Sequence, residues 1–451
     1  MRLVEFINAA KSARLSPADT LLLGSACPDI LSTVAFSVPK GERSPSMDEI
    51  RNQLGRSISL GSILATRLSS DPLGVGFPYR VSVDATPESL IVEAGTNCSF
   101  DEVLATLVEL TQHKVDPFVQ SGRVHVFRNV SGAPGGSPLS TLVTLQLNHS
   151  FADGRGTARI LRGILSTAPG RVEAASLGSA PTLVHSGIEI LGTIGALART
   201  VWRTAHASSH ENLPSSADPN TTSECIRDEG PTTISTVLIP SSALKNSGFT
   251  VTESALIATG ASLPTEVGRT YQCELPIAAP PGVREGSANA LDNVLIDIPT
   301  LSGESLSDYG TEIRDRMRTA IAHARSATGT AHFKLLDGAP AFLVRGVSKK
   351  AATARNTIAH DTIDRFKVTS YSVGPKDLTL CGSPAVFASS IPTLRPNDRL
   401  TVNFIGLGDT VTATVATRPG PIVDSQAFAE QLVAVVADLG PVDAQHANRE
   451  D

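Results

Sequence analysis

Residues 141–166 constrain the fold of this 451-residue chain more than any other stretch. TLVTLQLN at 141–148 puts Thr141, Val143, Leu145 and Leu147 on one side, the period of a β-strand. GTARILRGIL at 156–165 spaces Ala158, Leu161 and Leu165 for a helix. Strand, tight loop and helix therefore follow one another without a linker. Such a unit buries its apolar groups when the helix lies across the sheet that its own strand enters, which points to α/β or α+β layering.

Other segments agree. Residues 101–110 read as a helix, with Val103, Leu104, Leu107 and Val108 on one face and acids in the first turn. SGRVHVFRNV at 121–130 alternates as a strand, and the glycine cluster at 132–136, with Pro134 inside it, ends it as a turn. ESLSDYGTEIRDRMRTAIAHA at 304–324 lines Leu306, Tyr309, Ile313, Met317 and Ile321 on one helical stripe, leaving Arg314, Arg316 and Arg318 for a solvated face. RLTVNFIGLGDTVTATVATRP at 399–419 reads as a hairpin. Residues 425–439 read as a closing helix, with Phe428, Leu432 and Val436 inward and Gly440 as the stop. The stretch 204–233 is dense in Ser, Thr, Asn, Pro and Asp without an apolar period, so it divides the chain into an N-terminal half at 1–203, a crossover linker and a C-terminal half at 234–451.

Composition removes several function classes. A net charge of −6 without a basic block argues against nucleic-acid binding. With 14 Phe, 4 Tyr and 1 Trp, stacking platforms for bases are not expected. The five cysteines are odd in number and form no C-x-x-C pair, which fits reduced thiols in a cytoplasm better than a disulfide framework or a zinc site. The N-terminus lacks a continuous apolar core of the signal-peptide kind. The most apolar run, HSGIEILGTIGALARTVW at 185–202, carries Glu189 and Arg199. It reads as a helix of the fold or its surface, with peripheral contact to a lipid surface as the second reading.

The sequence carries no phosphate loop, no H-E-x-x-H, no G-x-S-x-G and no G-x-G-x-x-G after a strand. It does carry Asn148-His149-Ser150-Phe151-Ala152-Asp153-Gly154, an H-x-x-x-D-G pattern in the loop of the opening unit. Chance would give about 0.04 such matches in a chain of this composition. Polar side chains at a strand end commonly serve function. His149 supplies an imidazole able to take a proton near neutrality. Asp153 can fold back to fix the loop, and Gly154 lets the chain turn into the helix. The plainer reading makes Asp153 only a helix N-cap and His149 a satisfied polar residue. His125, His206, His210 and His323 are isolated, and Cys381 would need a partnered base that the sequence does not show.

NHSFADGRGTARILRGIL resembles the H-H-x-x-x-D-G-x-x-G-x-x-x-L block of the wax ester synthase/diacylglycerol acyltransferase family, within the CoA-dependent acyltransferase superfamily. Further segments are similar in the right order: LSPADTLLL at 15–23, DPLGVGFPYRV at 71–81, ANALDNVLIDIP at 288–299 and VTSYSVGP at 368–375 followed by Leu380-Cys-Gly382. Asn148 stands where the family has its first His, and Tyr371 where it has an Asn, which suggests an altered acceptor pocket.

The resemblance implies two chloramphenicol-acetyltransferase-like α/β domains, each a mixed sheet flanked by helices, with an active-site tunnel between them. It implies an acyl-CoA-dependent O-acyltransferase acting on a lipid or alcohol, with His149 as general base, direct attack on the thioester and no acyl-enzyme. Asp153 would support the loop, through Arg155, Arg159 or an arginine of the second half. Asn148 and Gly154 would shape that loop, and Asn293 or Ser370 would face the oxyanion or the tunnel. No metal or resident cofactor is implied; acyl-CoA is a co-substrate, and the chain is expected to be a monomer or homodimer. The alternatives are condensation-like transfer from a carrier-bound thioester to an amine or hydroxyl, and a non-catalytic acyl-binding member.

Overall fold

The computed structural model of the chain describes residues 13–24, 27–58, 62–166, 232–245, 248–265, 270–280, 283–284, 287–355, 363–394, 398–418 and 424–439. In the first half, β1 (Ile30–Val38), the ribbon of β2 (Thr66–Ser69) and β3 (Tyr79–Ser82), β4 (Ile91–Thr96), β5 (Gly122–Val130) and β6 (Leu139–Leu147) run with α1 (Pro17–Gly24), α2 (Met47–Ser57), α3 (Phe100–Gln112) and α4 (Gly154–Leu165). In the second, β7 (Thr233–Pro240), β8 (Thr270–Ala278), β9 (Leu291–Ile298), β10 (Ile363–Gly374), β11 (Thr379–Leu380), β12 (Ser383–Ile391), β13 (Leu400–Leu407) and β14 (Thr410–Thr417) run with α5 (Val251–Ala261), α6 (Leu306–Arg325), α7 (Ala327–Asp337), α8 (Ala341–Arg355) and α9 (Ser425–Asp438).

The helix starts are written in the sequence. Ser46 with Glu49, Ser99 with Glu102 and Thr250 with Glu253 each close a reciprocal capping box, satisfying backbone donors that a helix N-terminus otherwise leaves open. The hairpin turns at Gly408 (φ +61°), with Leu407 opposite Thr410.

Two mixed six-stranded sheets result, ordered β11-β12-β1-β6-β5-β4 and β7-β14-β13-β10-β8-β9. The first is not built from the first half alone. β12 pairs antiparallel with β1, Leu31 opposite Ile391, so a strand of 234–451 completes the sheet of 1–203. The division at 204–233 therefore does not separate the two sheets. The cause lies in β1: Leu31, Val34, Ala35 and Phe36 are fully buried, and without β12 they would sit on an open apolar edge. Of 204–233 only Thr232 and Thr233 are described, and Thr233 opens β7; the stretch 185–202 lies outside the described residues.

Both faces of the first sheet are covered. Leu54, Leu145, Leu161 and Ile164 pack on one, together with Ile405 and Leu407 of β13. Leu31, Phe100, Leu107 and Phe387 pack on the other. β6 is consequently buried from Ser140 to Leu147 on both sides, and the expected one-sided alternation gives way to polar pairs such as Thr144 with Thr33 at 2.8 Å. In the second half, α5, α6 and α9 cover one sheet face through residues including Leu256, Tyr309, Ile313 and Leu432. Arg314 departs from the expected solvated face: its guanidinium lies 4.1 Å above the Phe249 ring and donates to the Gly248 carbonyl at 2.7 Å. Among the described residues no helix is long and apolar enough to cross a membrane.

Candidate active site

β6 ends at Leu147 and α4 begins at Gly154, so the H-x-x-x-D-G loop occupies the strand–helix junction. Asn148 shapes it. Its Oδ1 accepts from the Ser150 amide at 3.1 Å and hydroxyl at 2.8 Å, while its Nδ2 reaches Asp29 Oδ1 and the Val115 carbonyl, both at 3.3 Å. Asp153 is buried and caps α4, accepting from the Gly156 amide at 2.7 Å. Gly154 is required for closeness: a Cβ there would meet Tyr371 Cε1 at 3.0 Å. Burial raises the Tyr371 phenol, whose oxygen lies 3.2 Å from Ser32 Oγ.

His149 is half-buried where the two halves meet. Its Nδ1 lies 2.9 Å from Asn289 Oδ1. The Asn289 amide nitrogen donates to Asp19 Oδ1 at 2.9 Å and to the His149 carbonyl at 2.7 Å. Two acceptors therefore fix which end of the carboxamide is the donor, and Oδ1 must accept. Nδ1 of His149 then carries hydrogen, and the lone pair of the neutral ring is at Nε2.

Asp19 holds the Asn289 loop from the opposite half. Its fully buried carboxylate accepts from Ser287 Oγ at 2.8 Å and from the amides of Ala288 at 3.0 Å and Asn289 at 3.1 Å. Arg80, also buried, stands 3.5 Å from Asp19 Oδ2. The Asp153 amide donates to the Ala288 carbonyl at 3.2 Å, so the two loops are stitched directly.

The second partner of His149 is Cys27. β1 and β6 start with Ile30 opposite Leu147, and continuing that register carries 27–29 past 148–150. The thiol and the imidazole share a hydrogen bond. Burial pushes the Cys27 thiol up, but His149 and the cations Lys367 and Lys114 outweigh it and bring it down to about 7. Burial lowers His149, and the facing Cys27 outweighs that and raises it. Each group thus favours charge on the other, the thiolate on Cys27 and the proton on His149. Pro28, the next residue, lines a cavity of about 150 Å³ whose walls come from both halves, including Lys114, Ile234, Pro392 and Arg418.

Other nominated residues lie elsewhere. Asn293 is exposed on β9, its amide turned to Asp292 Oδ1 at 2.8 Å. Ser370 is half-buried on β10, and strand alternation sends it off the face opposite the Tyr371 ring. Arg155 and Arg159 are exposed, and among the described residues no arginine pairs with Asp153. Arg162 instead ties α4 to the second half through Asp377 and the Pro375 carbonyl. Among the described residues no group of three or more His, Cys, Asp and Glu is placed to hold a metal ion. Sequence reasoning did not reach Asp19, Asn289 or Cys27 as site residues. The first two sat inside quoted blocks, LSPAD and ANALDN; Cys27 carried no signal beyond its nearness to β1.

No family model matches the chain, and no curated protein matches it. Its fold is shared along almost the full length with solved structures. A wax ester synthase/diacylglycerol acyltransferase from Marinobacter aquaeolei VT8 superposes with a TM-score of 0.58 at 15% identity, over 95% of this chain and 98% of that one. A trichothecene 15-O-acetyltransferase from Fusarium sporotrichioides gives 0.54 at 10% identity, over 95% and 94%. The first condensation domain of the CDA synthetase gives 0.53 at 14% identity, over 94% and 95%. The chain shares its two-sheet fold with these structures.

Proposed function

We propose that this protein moves an acyl group from a CoA thioester to the hydroxyl of a lipid or alcohol acceptor. The observation that carries this reading is the setting of His149. On a fold shared with acyltransferases, its Nδ1–H is held by Asn289, which leaves Nε2 as the nitrogen that can exchange a proton. In the single-displacement form that the family resemblance implies, the acceptor gives its proton to Nε2 as its oxygen attacks the thioester carbonyl. The C–S bond then breaks and Nε2 returns the proton to the CoA sulfur. A positioned base of this kind supplies about 10²–10⁴-fold, roughly 3–5 kcal/mol of barrier.

Asp153, Asn148 and Gly154 act as positioning residues that fix the loop. Neither Asn293 nor Ser370 enters this reading, since one is exposed and the other leaves β10 on the far face. The reaction is placed in the cytoplasm, where thiols stay reduced, with peripheral contact to a lipid surface when the acceptor is a lipid. The likeness to a condensation domain favours a second reading, transfer from a carrier-bound thioester to an amine or hydroxyl.

The test is His149→Ala, assayed by thiol release from acyl-CoAs against alcohols, diacylglycerol and amines. Release falls to background while the melting temperature stays within a few degrees of the parent. Transfer at the parental rate would remove His149 from the chemistry, and a folded parent that turns over no thioester would favour a non-catalytic acyl-binding member.

A further inference from the structure

Single displacement leaves one group at the reaction centre without a part. Cys27 is a half-buried thiol hydrogen-bonded to the base itself. The backbone puts it there, through the β1–β6 register and the 3.3 Å contact of Asn148 Nδ2 with Asp29 Oδ1. Asn289 holds the other side of the imidazole, and Asp19 holds Asn289. Cys27, His149 and Asn289 thus line up as thiol, imidazole and orienting carboxamide, the set that activates a sulfur nucleophile.

We propose that Cys27 is a nucleophile of this reaction, taking the acyl group from the incoming thioester as S-acyl-Cys27 and handing it to the acceptor in a second step. The inference rests on the acyl-transfer reading and divides its one displacement into two. In the first, the Cys27 thiolate attacks the thioester carbonyl, the bond from that carbon to the CoA sulfur breaks, and the departing CoA thiolate takes the Nε2 proton of His149. One thioester replaces another, so no oxidant or energy source is needed. In the second, the acceptor O–H gives its proton to Nε2, the acceptor oxygen attacks, and the bond to Cys27 sulfur breaks. The resting thiolate and imidazolium are restored. Acylation also removes the charge that kept His149 protonated, so the base becomes free when the acceptor needs it.

Intact-mass measurement of the full chain with acetyl-, octanoyl- or palmitoyl-CoA, without acceptor, tests this. At least one thioester adds its acyl mass once, at Cys27 by peptide mapping, and releases one CoA per chain as a burst. Cys27→Ala and Cys27→Ser lose adduct and burst and slow transfer by about 100-fold or more. Cys381→Ala, an exposed control, keeps all three. Absence of an adduct on Cys27, or a folded Cys27→Ala chain that transfers at the parental rate, overturns the inference. If His149→Ala is inactive while Cys27→Ala is not, single displacement stands alone; if the folded parent turns over no thioester, the acyl-transfer reading falls and this inference with it.

Discussion

The two loops that meet at the site are held in different ways. The His149 loop is short, ends in a helix and satisfies itself: Asn148 binds Ser150, and Asp153 caps α4. At the Asn289 loop, Ser287, Ala288 and Asn289 all donate to Asp19, a carboxylate from the other half. His149 is therefore positioned locally, whereas the orientation of its ring depends on the halves being assembled.

That contrast can be broken from either side. The largest effect is expected for Asp19→Ala. It removes the acceptor of four hydrogen bonds and strands the buried Arg80, which should cost about 3–5 kcal/mol in chemical denaturation and abolish thiol release. Asn289→Ala frees the imidazole but leaves Asp19 paired with Arg80. It should lower kcat by about 10²-fold with a smaller loss of stability. If Asn289→Ala leaves kcat unchanged, the orienting role is wrong. Asp153→Ala removes a local cap, so calorimetry should show a loss of about 1 kcal/mol and thiol release a moderate decrease. The smallest effect belongs to Arg162→Ala at the partly exposed clamp to Asp377, at about 0.5 kcal/mol.

A pH profile sharpens the same comparison. With the Cys27 thiol near 7, thiolate is present above that pH and lost below it, so kcat/KM for the thioester should fall as pH drops through about 7. In Cys27→Ser the facing thiol that raises His149 is gone while burial and Lys367 still lower it, so the acid limb of any residual rate should move to lower pH. An unmoved limb would mean that the two groups do not favour charge on each other.

The local half of this site was legible and the assembled half was not. His149 and Asp153 stood out because strand period, loop length and helix period converge on six residues. Asn289 was not reached although Asn293, in the same block, was named for the oxyanion or the tunnel: Asn293 lies exposed on β9, while Asn289 precedes the strand and turns inward to His149. Cys27 and β12 were hidden for one reason. Their partners, His149 and β1, are far away in sequence, and no local period encodes a register between distant strands.

The place of β12 bears on how the chain is made. Leu31 must wait for Ile391, and at ordinary ribosomal rates of 5–20 residues per second that interval is about 20–70 s. Through it, the apolar outer rim of β1 is an unclosed template for pairing with other nascent chains. Newly made protein is thus exposed to chaperones and to aggregation for as long as translation lasts. A fragment ending at residue 203, expressed alone, should collect in inclusion bodies, and a synthetic peptide spanning 379–391 should help to bring it into solution.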